Sequence, residues 1–153
     1  MKRIPSIVAA VVLLAAAAAG AQDKPNFAGT WKLSEPAQPE MFMASKLVVS
    51  QDASLFTLVA TNEMGEFKTT YNVDGSAGRS PLDFNGMTID RQTKMTWNDN
   101  KLTLTTQSEM NGQVTEFKSV MSMRPDGAMA VESTFPDFQG GGGPITQKAV
   151  YKK

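Results

Sequence analysis

Histidine and cysteine are both absent from this 153-residue chain, so side chains able to shuttle protons at neutral pH or hold a borderline metal are scarce. Ser-His-Asp triads, cysteine nucleophiles, His/Cys zinc sites and structural disulfides are all removed. Proton transfer would fall to Asp, Glu, Lys, Tyr or Arg, and no two carboxylates have a spacing that fixes both in one place. Arg79, Asp83 and Asp90 gather in one stretch, where solvated loop charge is a simpler reading than a general acid. The residue types point away from an enzyme, with no catalytic residue, cofactor or metal expected.

Ten methionines leave one metal chemistry to consider. Met41-Phe42-Met43 and Met121-Ser122-Met123 each place two thioethers on one strand face, a pattern suited to Cu(I). The competing reading is that flexible methionines shape a plastic apolar cavity, and without His or Cys beside them this reading is preferred. Lysine plus arginine and aspartate plus glutamate number fifteen each. There is no basic field for nucleic acid or an anionic membrane.

The N-terminus carries Lys2 and Arg3, thirteen consecutive apolar residues from Ile7 to Ala19, then Ala19-Gly20-Ala21. This fits a secretory signal peptide spanning residues 1–21, cleaved after Ala21. As a helix the apolar run would reach about 20 Å against a hydrocarbon core of about 30 Å, so no integral membrane span is expected. The remaining domain, residues 22–153, would have 13 basic and 15 acidic groups. It is expected in the periplasm or outside the cell, as a monomer.

Beyond this leader the pattern is period-2 alternation in short blocks. The expected strands are Gly29–Ser34, Lys46–Gln51, Ser54–Thr61, Glu66–Val73, Met87–Arg91, Lys94–Asn98, Lys101–Ser108, Val114–Met123, Ala128–Phe135 and Ile145–Lys152. Residues tolerant of positive φ lie between many of them, as in Asn62-Glu63-Met64-Gly65, Asn98-Asp99-Asn100, Met110-Asn111-Gly112 and Pro125-Asp126-Gly127. The fold class is therefore all-β, a single antiparallel up-and-down meander barrel of eight to ten strands. Glu35–Ala44, Ser76–Gly86 and Pro136–Pro144 read as longer surface loops, candidates to frame a cavity mouth.

Alternate positions gather Trp31, Leu33, Phe67, Tyr71, Val73, Met95, Trp97, Leu102, Leu104, Phe117, Met121, Met123, Met129, Val131 and Tyr151 on one face. Thr69, Thr106, Ser119, Ser133 and Gln147 share that face. A buried hydroxyl without a partner costs about 1–3 kcal/mol, so several of them favour a hollow interior over a dry core. The candidate cavity-lining residues are Phe67, Tyr71, Trp97, Leu104, Thr106, Phe117, Ser119, Met121, Met129, Gln147 and Tyr151.

At the start of the expected mature domain stands Phe27-Ala28-Gly29-Thr30-Trp31-Lys32-Leu33. This segment resembles the opening strand of the lipocalin and fatty-acid-binding-protein (calycin) superfamily with its Gly-x-Trp signature, and the whole chain resembles small exported bacterial members whose ligands are unassigned. The resemblance implies a barrel plugged at one end by Gly29 and Trp31, and a small hydrophobic or amphipathic ligand bound inside without chemical conversion. Two departures matter. Glu35–Ala44 holds two prolines and is too short for the helical lid of fatty-acid-binding proteins. Ala149 stands where their carboxylate-gripping arginine would be, leaving Lys148 and Tyr151 as a partial echo. The rival expectations are an envelope protein-interaction module with a filled barrel and methionine-based Cu(I) binding.

Overall fold

The computed structural model describes residues 24–36 and 42–153. The expected leader and Met41 lie outside the described residues. Twelve strands follow in order: β1 Gly29–Glu35, β2 Lys46–Gln51, β3 Leu55–Asn62, β4 Gly65–Asn72, β5 Gly78–Arg79, β6 Leu82–Phe84, β7 Met87–Ile89, β8 Arg91–Asn98, β9 Lys101–Met110, β10 Gln113–Met123, β11 Met129–Phe135 and β12 Ile145–Lys152. Alternation sets their faces: along β8, Thr93 and Met95 are buried while Gln92, Lys94 and Thr96 are exposed, the signature of a sheet wet on one side.

Ten strands form one antiparallel sheet in the order β4-β3-β2-β1-β12-β11-β10-β9-β8-β5. The first and last long strands meet, Leu33 opposite Tyr151, so the meander rolls up into a nearly closed barrel. A register shift between Leu33 and Glu35 kinks β1 as it leaves this pairing. Two expectations need correction. The expected strand Met87–Arg91 ends at Ile89, and β8 runs unbroken from Arg91 rather than starting at Lys94. The expected loop Ser76–Gly86 contains β5 and β6, with β6 and β7 forming a separate two-stranded hairpin. Strands of two or three residues are too short to show a period. The Asn85-Gly86 turn between them, at φ 50° and 78°, was the usable signal, because this dipeptide favours tight hairpins.

Antiparallel order divides the connections between two ends. One end carries the segment leading into β1 and the turns at 52–54, 74–77, 99–100 and 124–128. Short side chains lock these turns: Asp52 Oδ1 accepts from the amides of Ser54 (2.7 Å) and Leu55 (2.8 Å), and Asp74 Oδ1 accepts from Ser76 N (2.9 Å) and Oγ (2.6 Å). Trp31 closes this end. It is fully buried, its Nε1 donates to the Phe27 carbonyl at 2.8 Å, and Phe27 stacks on Trp97 with centroids 6.0 Å apart. Lys153 Nζ lies 4.8 Å over the Trp31 ring. Gly29 sits at φ 132°, a backbone conformation that favours glycine, and a Cβ there would meet only the movable end of the Lys153 side chain, at 2.9 Å.

Between β4 and β8 there is no backbone ladder. Side chains join them instead. Thr93 Oγ1 donates to the Thr70 carbonyl at 2.7 Å, Thr70 N donates to Ser80 Oγ at 3.1 Å, and Arg91 Nη2 donates to the Lys68 carbonyl at 2.9 Å. Arg91 Nε also donates to the Ser80 carbonyl at 2.8 Å, tying the chain just after β5 into the same network.

Candidate ligand cavity

The other end of the barrel carries the β1–β2 connection, the hairpins at 63–64, 85–86 and 111–112, and the 136–144 loop. Beneath it lies a cavity of about 140 Å³. Met43, Ala44, Leu47, Leu58 and Ala60 wall one side, and Ser119, Met121, Val131, Ser133, Gln147, Ala149 and Tyr151 wall the other, with Phe42 at the top. No charged side chain lines it. Below it the barrel is filled: Phe56, Met95, Leu102, Leu104 and Met129 are almost wholly buried together with Trp31. The expected hollow is thus confined to the half nearer the mouth.

The rim is aromatic. Phe42 meets Phe135 and Phe138 edge-on at 5.6 and 5.8 Å, and Phe117 stacks on Phe135 and Phe138 at 6.5 and 6.1 Å. Phe135 is buried, whereas Phe42 and Phe138 are about half exposed. Asp137 shapes the glycine-rich loop beside them, its carboxylate accepting from Gln139 N (2.9 Å) and Gly141 N (3.1 Å). Of the eight exposed large apolar side chains among the described residues, only Leu55 belongs to the plugged end.

Polar groups inside are mostly paired. Tyr71 OH and Thr106 Oγ1 lie 3.1 Å apart, Ser119 Oγ and Ser133 Oγ 3.3 Å apart, and Tyr151 OH donates to the Ala44 carbonyl at 2.9 Å. That last bond pins the β1–β2 connection to the barrel wall. Only Thr61 Oγ1 and Gln147 Oε1 are buried without a partner among the described residues. Desolvation raises the pKa of both tyrosines, Tyr151 to about 12. For Tyr71 burial outweighs the opposing effects of the Thr106 hydrogen bond and the Arg91 charge.

These shifts have a sign. A phenol with a folded pKa above its ordinary 10.0 contributes stability that is complete below that pH and is lost as pH rises through the folded value. Because the chain has two tyrosines and both are buried, tyrosinate absorbance is expected to rise together with unfolding rather than before it. Stability should fall between pH 10 and about 12, and Tyr151→Phe should flatten that slope. Titration of both phenols at their ordinary pKa in a folded protein would contradict this.

Four of the eleven residues selected from sequence line the cavity: Ser119, Met121, Gln147 and Tyr151. Leu104 and Met129 are buried in the packed floor, and Tyr71 and Thr106 hold each other there. Trp97 is part of the plug. Phe67 packs against Phe84 of β6 at 6.2 Å, and Phe117 belongs to the rim. Of the four candidate copper thioethers, Met43 and Met121 share the cavity wall while Met123 ends β10 at the plugged end. Phe42, Met43 and Ala44 were missed as lining because their segment read only as a loop. Apolar Phe42 and Met43 in a polar connection were the available sign that this segment packs against the mouth of the barrel.

These features define a calycin-like β-barrel: a rolled antiparallel meander, Gly-x-Trp in its first strand, a plugged end and a mouth. Among the solved structures that share the fold are two of different kinds. A variant of the fluorescent protein UnaG superposes with a TM-score of 0.53 at 16% identity, covering 83% of this chain and 95% of that one. Secretory abundant heat soluble protein 4 from Ramazzottius varieornatus gives 0.50 at 15% identity, covering 82% and 93%. No family model matches the sequence, and no curated protein does. No helix among the described residues is long and apolar enough to cross a membrane.

Proposed function

We propose that this protein is an exported, monomeric, non-catalytic carrier of a small apolar or amphipathic molecule, taken into the barrel through the aromatic mouth. The observation that carries this reading is the uncharged cavity of about 140 Å³ under an exposed apolar rim. Dry apolar cavities of about 150 Å³ in other proteins admit a benzene ring. A ring-sized group would fill this one, with the rest of a larger molecule lying between Phe42 and Phe138. Met43 and Met121 are adaptable enough to widen it.

An environment-sensitive dye such as Nile red should bind saturably at one site. Ala60→Phe, which fills the cavity from β3, should weaken it at least tenfold or so while thermal unfolding stays cooperative. Absence of saturable binding to the native protein would reject the carrier reading. The exposed apolar side chains around the mouth also favour a second reading, a protein-contact module. Deleting Gln139–Gly143 separates the two: a contact module loses its envelope partner in pull-downs, whereas a carrier retains dye affinity.

A further inference from the structure

We infer that the ligand group reaching the cavity wall is an uncharged hydroxyl or amide, not a carboxylate, and that Ser119, Ser133 and Gln147 receive it. This deepens the carrier reading and rests on it. The three residues form one cross-strand row: Ser119 is opposite Ser133 between β10 and β11, and Ser133 is opposite Gln147 between β11 and β12. Directly opposed residues on one face are close neighbours, and all three line the cavity.

Gln147 is 6% exposed, and its Oε1 has no hydrogen-bond partner. A buried acceptor left this way is destabilising, so something that donates to it is favoured. The serine hydroxyls face each other at 3.3 Å. Only one of their two hydrogens can lie between the oxygens, which leaves the other to donate elsewhere. The row therefore offers an unpaired buried acceptor and a free hydroxyl donor side by side, with the Gln147 Nε2 amide next to them. An alcohol or a primary amide satisfies both at once. A hydrocarbon leaves Gln147 Oε1 unpaired, and a carboxylate has no hydrogen to give it. An anion would also be desolvated with no cation on the cavity wall, a costly arrangement.

The test uses four probes with one ring each, titrated into the protein and followed by NMR: benzyl alcohol, benzamide, benzoate and toluene at neutral pH. Benzyl alcohol and benzamide are expected to bind about tenfold more tightly than benzoate. In Gln147→Leu their affinity should fall roughly three- to tenfold, while that of toluene holds or improves. Ser133→Ala removes a single oxygen and should also weaken benzyl alcohol, which keeps the test decisive if the leucine variant does not fold. Toluene or benzoate binding as tightly as benzyl alcohol, or variants that leave benzyl alcohol unchanged, overturns the inference and spares the carrier reading. If none of the four saturates, both fall.

Discussion

Trp31→Ala is expected to lower the unfolding free energy by about 3–5 kcal/mol, because the site is sealed on every side and cannot collapse onto the void. Phe27 packs beside it and its carbonyl depends on Trp31 Nε1, so the substitution leaves both a hole and an orphaned acceptor. Domains of this size are stable by about 5–15 kcal/mol, and the loss should lower the melting temperature by roughly 10–20 °C. Trp31→Phe separates the two contributions. It restores most of the packing and leaves the carbonyl unpaired, for a smaller loss of about 1–3 kcal/mol. Urea unfolding of the three proteins checks the ranking; an alanine variant within 1 kcal/mol or so of the native protein would show that the plug is dispensable.

A second large effect is expected at the side-chain seam. The double variant Arg91→Ala, Thr93→Val removes every donor to the Lys68 and Thr70 carbonyls across the gap. The Thr70 carbonyl is part-buried and the Lys68 carbonyl exposed, so the first costs about 1–3 kcal/mol when unpaired while the second rebonds to water, and the double variant should lose roughly 1–3 kcal/mol. The single changes should not sum to the double, because Arg91 and Thr93 hold the same strand. Amide hydrogen exchange gives the sharper readout: β4 should lose protection by a larger factor than β11 or β12, which keep ladders on both sides. Uniform loss across all strands would mean that the gap bears no special share of the barrel's integrity.

Much of this architecture was legible because a sheet wet on one side writes itself into alternate residues. The blocks from Lys46 to Val73 and from Lys101 to Phe135 became strands almost as read, and Trp31 went inside as its position beside Gly29 indicated. What alternation reports is a face, never a partner. The seam was therefore invisible: nothing local says that Arg91 should reach Lys68, or Thr93 Thr70. The same limit applied inside the barrel. Thr106, Ser119, Ser133 and Gln147 all read as inward polar residues, but only the fold shows that Thr106 is satisfied by Tyr71 and that Gln147 is not. The cavity wall from Phe42 to Ala44 escaped because an irregular segment has no period to betray which way its side chains turn.

The way β4 is covered has a consequence for behaviour in crowded solution. An uncovered strand flank is a template on which a second molecule can add its own strand, and growth of that kind leads to fibres. Here the Lys68 carbonyl and the Thr70 amide and carbonyl in the middle of that flank are already occupied by Arg91, Ser80 and Thr93, and β5 pairs with β8 at Gln92 and Thr93. The barrel thus forgoes a complete ladder while blocking the middle of the flank along which a neighbour's strand would have to extend.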